Sequence, residues 1–184
     1  MKNHRACIIS SIVLIATCSS LVYGEQVYLT PDRISSITLD GGPLNNVVAA
    51  TFKFPKKVFT DKVELNYAVL EFSARLRSGD WVRFSVVPVD ERIWDSAISK
   101  CNGEWAFTPQ LVAEYRGTSV TLKGLSAEEL RSDITFVVQA IIDGYVAPDA
   151  RLVIAPTRDC MKRLPGEYII DEKSLRLKIR FTME

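Results

Sequence analysis

Residues 65 to 76 form a long alternating run. Leu70, Phe72, Ala74 and Leu76 fall on one side of an extended chain, and Glu71, Ser73 and Arg75 fall on the other. A period of two fits a half-buried strand and does not fit a helix. The pattern recurs. Residues 81–89 set Val82, Phe84 and Val86 against Arg83 and Ser85, and residues 48–54 set Ala50, Phe52 and Phe54 against Thr51 and Lys53. Residues 174–181 set Leu175, Leu177, Ile179 and Phe181 against Arg176, Lys178 and Arg180, the wet side of a strand. Shorter strands are expected at 34–39, 111–115, 119–122 and 152–155. Ser78-Gly79-Asp80, between two alternating runs, predicts a hairpin turn, and Pro88 marks a strand end or a sheet edge. About eight short strands with turn signals between them predict an all-β fold, an antiparallel β-sandwich or jelly roll.

Two segments read as short helices. Ser126 can cap a helix over 126–130 whose first turn holds Glu128 and Glu129. Residues 136–143 stop at Gly144, a helix C-terminal signal, with a buried strand as the competing reading.

Residues 1–24 have the layout of a secretory signal peptide. Lys2, His4 and Arg5 precede an apolar run over 8–17, and Val22-Tyr23-Gly24 leads to a cut before Glu25. The run is too short to span a bilayer, which takes about 20 apolar residues. Ser10, Ser11, Ser19 and Ser20 also interrupt it. Leu14-Ile15-Ala16-Thr17-Cys18 has the shape of a lipobox, with Thr17 where Gly, Ala or Ser normally precedes the lipidated cysteine. Cleavage after Gly24 is the preferred reading and a lipid on Cys18 the alternative. The expected product is a single domain over 25–184, secreted, periplasmic or on the cell surface. It has no transmembrane segment after the signal is removed, and it is long enough to bury a core.

Removing this leader takes away His4, the only histidine in the chain. A mature chain without imidazole excludes Ser-His-Asp and Cys-His catalysis and every histidine metal site. Lys2 and Arg5 leave with it, so 21 Lys and Arg then face 22 Asp and Glu. A balance so near zero excludes binding to nucleic acid through a general basic excess. Cys101 and Cys160 remain, both in polar stretches, and an oxidising compartment predicts one disulfide between them. Closing a loop of roughly 60 residues is worth about 3–4 kcal/mol in the chain-entropy model.

Trp94, Trp105 and Tyr145 stand in polar sequence beside Asp95, Asn102, Glu104 and Asp143. Flat rings with carboxylates and amides alongside are what a sugar site needs, one for the apolar ring face and the other for the hydroxyls. Trp94, Asp95, Trp105 and Tyr145 are therefore the candidate ligand-binding residues, against the plainer reading that the tryptophans cap the core. Trp81, at the start of a strand, reads as core or rim. The stretch 40–46 offers oxygen ligands around glycines but too few for calcium, so it reads as a turn and no metal or cofactor is expected. Asp90, Glu91 and Asp95 could pair for glycoside hydrolysis, which needs two carboxylates at a set separation.

The order of these elements resembles the secreted jelly-roll domains called DNRLRE domains, relatives of carbohydrate-binding modules. The likeness lies in Thr51-Phe52-Lys53-Phe54, in residues 65–72 with their central Ala68, and in Asp133-Ile134-Thr135 followed by Val138, Ile141 and Gly144. The closing strand 174–181 completes it. It spans about residues 45–182. Pro55 stands where the family has Asp, and Ile141 where it often has Trp. The resemblance implies a non-catalytic secreted or surface module that binds a polysaccharide or other glycan. The alternatives are a structural or protein-interaction accessory of the cell envelope with no small ligand and, last, a carboxylate-based glycosidase or lyase.

Overall fold

The computed structural model describes residues 24–38, 46–59, 63–89, 118–157 and 166–183. Among them nine strands run in the order β1 (Gly24–Leu29), β2 (Arg33–Thr38), β3 (Asn46–Thr51), β4 (Val63–Gly79), β5 (Trp81–Val89), β6 (Thr118–Lys123), β7 (Glu128–Asp133), β8 (Arg151–Pro156) and β9 (Gly166–Met183). A helix, α1 (Thr135–Ile142), lies between β7 and β8, and a 3-10 turn covers Lys56–Phe59. All strand pairs are antiparallel. They form a four-stranded sheet in the order β1-β9-β4-β7 and a five-stranded sheet in the order β2-β3-β8-β5-β6. This is the expected β-sandwich. No helix among the described residues is long and apolar enough to cross a membrane.

The alternating residues do what their period dictates. Leu70, Phe72, Ala74 and Leu76 of β4, Val82, Phe84 and Val86 of β5, and Leu175, Leu177, Ile179 and Phe181 of β9 are buried in one core. Phe72 meets Phe84 edge-on with centroids 6.0 Å apart, and Phe84 meets Tyr168 at 4.8 Å. Such edge-to-face pairs each add about 0.5–1.5 kcal/mol beyond the area they bury.

The two long strands change phase along their length. β4 and β9 shift register between Leu65 and Tyr67, so Leu65 and Ala68 both reach the core across a bulge at Asn66. A second shift sets Glu71 opposite Arg176 but Ser73 opposite Asp171, leaving 172–175 of β9 as an extra loop. Ser174 closes that loop. Its hydroxyl donates to the Asp171 carbonyl at 2.6 Å and accepts the Ser73 N–H at 2.7 Å.

The five-stranded sheet is buried on both faces over its centre. Val48, Ala50, Val86 and Ile154 face the core, and Val47, Ala49, Val87, Val153 and Ala155, on the opposite face, are buried as well. This matches the continuous apolar runs Val47-Val48-Ala49-Ala50 and Leu152-Val153-Ile154-Ala155.

Three expectations need correction. Ser78-Gly79-Asp80 does not make a hairpin, because β4 pairs with β7 and β9 while β5 pairs with β6 and β8. The chain arches from one sheet to the other at Gly79, whose φ of 82° suits glycine, and the apolar sides of β4 and β5 face each other across the core. Residues 126–130 are not a helix. Glu128–Asp133 is β7, with Leu130 and Ser132 buried and Glu129 and Arg131 exposed, because pairing with β4 outweighs the local capping signal. Asn46, placed in a turn from sequence, is the buried first residue of β3. The helix expected near 136–143 is present as α1, and the strand expected at 111–115 lies outside the described residues.

Candidate binding face

Of the four candidate ligand residues, Tyr145 is described. Trp94, Asp95 and Trp105 lie in 90–117, outside the described residues, as do Cys101, Asp90, Glu91 and Cys160. Tyr145 is 85% exposed, and its position is set by how α1 ends. The Gly144 N–H donates to the Ile141 carbonyl at 3.2 Å and the Tyr145 N–H to the Ala140 carbonyl at 2.8 Å. Gly144 has a φ of 77°, so this is the left-handed Schellman close, and the next residue leaves the helix. At the other end of α1, Asp133 accepts from the Thr135 backbone at 2.9 Å and from its hydroxyl at 2.6 Å. The same hydroxyl accepts the Ala68 N–H at 2.9 Å, tying the helix to β4.

The loop carrying Tyr145 enters β8 at Arg151, opposite Val89 of β5, and β6 begins at Thr118, opposite Val86. The points where 90–117 leaves and rejoins the five-stranded sheet therefore lie at the same end of the sandwich as Tyr145. At that end Asp32, Lys53, Phe54, Phe59 and Asp149 line a groove of about 240 Å³. That is below the roughly 300 Å³ at which ligand pockets begin. A larger hollow of about 670 Å³ beside the β9 loop includes Arg75, Asp171 and Lys173 and has no ring in its lining.

The outer face of the four-stranded sheet brings together residues that the sequence reading did not. Cross-strand register sets Gln26 opposite Arg180 and Arg180 opposite Tyr67. One row along, Tyr28 lies opposite Lys178. The Lys178 ammonium sits 5.7 Å from the centre of the Tyr28 ring and 5.6 Å from that of Tyr67, within cation–π range. Gln26 links the two phenols: its amide donates to the Tyr28 hydroxyl at 2.9 Å and accepts from the Tyr67 hydroxyl at 3.2 Å. The Lys178 ammonium is held above the ordinary lysine value, first by its hydrogen bond with the Tyr67 hydroxyl. Tyr28 is 55% exposed, so the group is open to solvent. Beside it the Arg180 guanidinium lies across Gly24, where an added Cβ would come within 3.3 Å.

Farther along the same face, Glu71 is buried between two arginines. It accepts from Arg176 at 2.5 Å, and Arg131 stands 3.5 Å away. Glu129 bridges both arginines from the solvent side, at 3.1 Å from Arg176 and 3.3 Å from Arg131. The Glu129 carboxyl is held below the usual range, first by its hydrogen bond from Arg131. A glycosidase acid needs a raised pKa, so Glu129 has the opposite tuning.

Sequence reasoning missed Tyr28 because β1 was assigned no structure, although Val27 and Leu29 alternate with Gln26 and Tyr28. Tyr67 lies inside an alternating strand, where an aromatic carries no local sign of a ligand role. Lys178 and Arg180 stand on the wet face of β9, as the alternation of 174–181 predicts. Comparison with protein-family models gives no match, and no curated protein matches the chain.

Proposed function

We propose that this chain is a non-catalytic, secreted or cell-surface module that binds carbohydrate. The observation that carries this reading is the Tyr28–Lys178–Tyr67 group on the open face of the four-stranded sheet, with Gln26 and Arg180 alongside. Two rings supply apolar surface for sugar faces, and an amide, an ammonium and a guanidinium supply donors for hydroxyls. Gln26 and Lys178 hold the rings in place before any ligand arrives, which reduces the ordering cost of binding. The likeness to DNRLRE domains and the leader-like residues 1–24 point the same way. Tyr145, with Trp94, Asp95 and Trp105, makes a second binding region in this reading. The solvent-facing rings of Tyr28 and Tyr145 weigh against a module with no small ligand.

The test is a glycan array and polysaccharide pull-down. The protein is expressed from the full 184-residue sequence and purified as the cell processes it. Tyr28→Ala and Tyr67→Ala are each expected to weaken binding about tenfold or more, equivalent to about 1.4 kcal/mol. Tyr145→Ala, Trp94→Ala and Trp105→Ala report on the loop region. Failure of the wild-type protein to bind any glycan overturns the reading. Binding lost only in the loop variants moves the site off the sheet face.

A further inference from the structure

The sandwich has two sides, and they are finished differently. On one side the edge strands β6 and β7 meet through a hydrogen bond between the Thr118 and Ser132 hydroxyls. β7 also carries Glu128, Glu129, Arg131 and Asp133 among its six residues, a charge density that resists strand addition. On the other side, among the described strands, the edges are β1 and β2. The only charged residue of β1 is Glu25, and Lys57 neutralises it. The strand contains no proline and no lysine, and its pairing with β9 runs without a bulge. Among the described residues, the one edge-blunting device that β1 carries is the charge of Glu25 on its inward face, beside Val27 and Leu29, and its pairing with Lys57 cancels that charge.

We propose that β1 pairs antiparallel with β1 of a second copy of this chain, making one continuous eight-stranded sheet. This goes beyond the carbohydrate reading and does not depend on it. An antiparallel pair that keeps both cores on the same side must place its two-fold axis on a residue, because only then do residues of equal parity meet. An axis at Val27, inside the strand, sets Gln26 against Tyr28 of the second copy and Tyr28 against its Gln26. Those two side chains already hydrogen-bond within one strand, so the contact is self-complementary. It opposes no like charges. Lys178 and Arg180 stand one strand back in each copy, three strand spacings or about 14 Å apart. That exceeds the Debye length of about 8 Å at physiological salt. The dimer would set two Tyr28–Lys178–Tyr67 groups on one surface.

Light scattering across a concentration series, on the chain as the cell processes it, tests this. The wild type is expected to reach twice the chain mass as concentration rises. Gln26→Lys with Tyr28→Lys sets lysine against lysine on both sides of the axis and is expected to stay at one chain mass. Gln26→Ser with Tyr28→Ser is expected to keep the dimer. A wild type that stays monomeric at every concentration overturns the proposal, and so does a dimer that the lysine pair leaves intact. Should the lysine variant fail to fold, amide exchange of the wild type decides. Protection of β1 that rises with concentration supports the pairing, and protection independent of concentration overturns it.

Discussion

Asn46 joins the two sheets, and replacing it should cost more than any single surface contact. Its amide donates to the Ile170 carbonyl at 3.0 Å and accepts the Ile170 N–H at 2.7 Å. Ile170 lies on β9, in the other sheet, and is 2% exposed. β1 pairs with β9 only as far as Leu177, so among the described strands nothing else lies along this part of β9 on that side. The amide thus acts as a one-residue substitute for a missing strand. Asn46→Leu keeps the branched four-atom side chain and removes both bonds, leaving two buried backbone groups unsatisfied at about 1–3 kcal/mol each. The expected loss is about 2–6 kcal/mol, a large part of the roughly 5–15 kcal/mol that a domain has. The melting temperature should fall by roughly 5–20 °C. Asn46→Asp separates the bonds from the packing. Protonated, the new carboxyl can donate to the carbonyl and accept the N–H, whereas ionised it faces the carbonyl with a negative charge. Its folded pKa is therefore raised, so its stabilising contribution is present below the unfolded value of about 3.9 and is lost as pH rises through the folded value. Denaturant titrations of both variants at acidic and neutral pH read this directly. A Leu variant within about 0.5 kcal/mol of wild type, or an Asp variant indifferent to pH, would refute the reasoning.

Gly144→Ala should cost about 1–2 kcal/mol, because φ is 77° and an added Cβ meets nothing within 4 Å, so backbone strain acts alone. A shift in the denaturant midpoint with unchanged slope checks it. Burial pushes the Tyr168 phenol far up. Its stabilising contribution is present below the unfolded value of about 10 and declines at higher pH, so an ultraviolet titration should show this phenol ionising only as the chain unfolds. The lowered Glu129 carboxyl has the opposite sign: its contribution is present above the unfolded value and lost as pH falls through the folded one. Glu129→Gln should therefore flatten the acid side of the stability profile, measured by thermal melts across pH. On the proposed secreted reading, Cys101 and Cys160 should give no free thiol, and reduction should lower stability by about 4 kcal/mol.

What could be read from the sequence was whatever a short window controls. The burial period of 70–76, 82–86 and 175–181 needs only the residues themselves, and these segments sit as that period requires. The close of α1 was legible at Gly144 for the same reason. Pairing was not. The turn at Gly79 looks identical whether the next strand lies beside the first or across the core, and only the apolar faces of β4 and β5 packing against each other decide it. The local signals of Ser126, Glu128 and Glu129 favoured a helix start, yet the free edge of β4 claimed that stretch as a strand. The candidate binding face was illegible because it is assembled from residues far apart in the chain. Gln26 and Tyr28 meet Tyr67, Lys178 and Arg180 only through register, and that register depends on the bulge between Leu65 and Tyr67.

The two sheets also explain why the face falls where it does. A sandwich has two outer surfaces, and on the five-stranded sheet the centre of that surface is apolar and buried at Val47, Ala49, Val87, Val153 and Ala155. The four-stranded sheet turns its polar half outward, because β4 and β9 keep strict alternation on either side of their bulges. That leaves one broad open surface, and its charges are not evenly spread. Glu71 and Glu129 neutralise Arg131 and Arg176 at the β7 side, while Lys178 and Arg180, beside the tyrosines toward β1, have no carboxylate partner among the described residues. Ion pairs already satisfied within the chain offer little to a ligand. Cations held among hydroxyls and rings can exchange those weak contacts for stronger ones, so the β1 side of this sheet is where binding should be sought first.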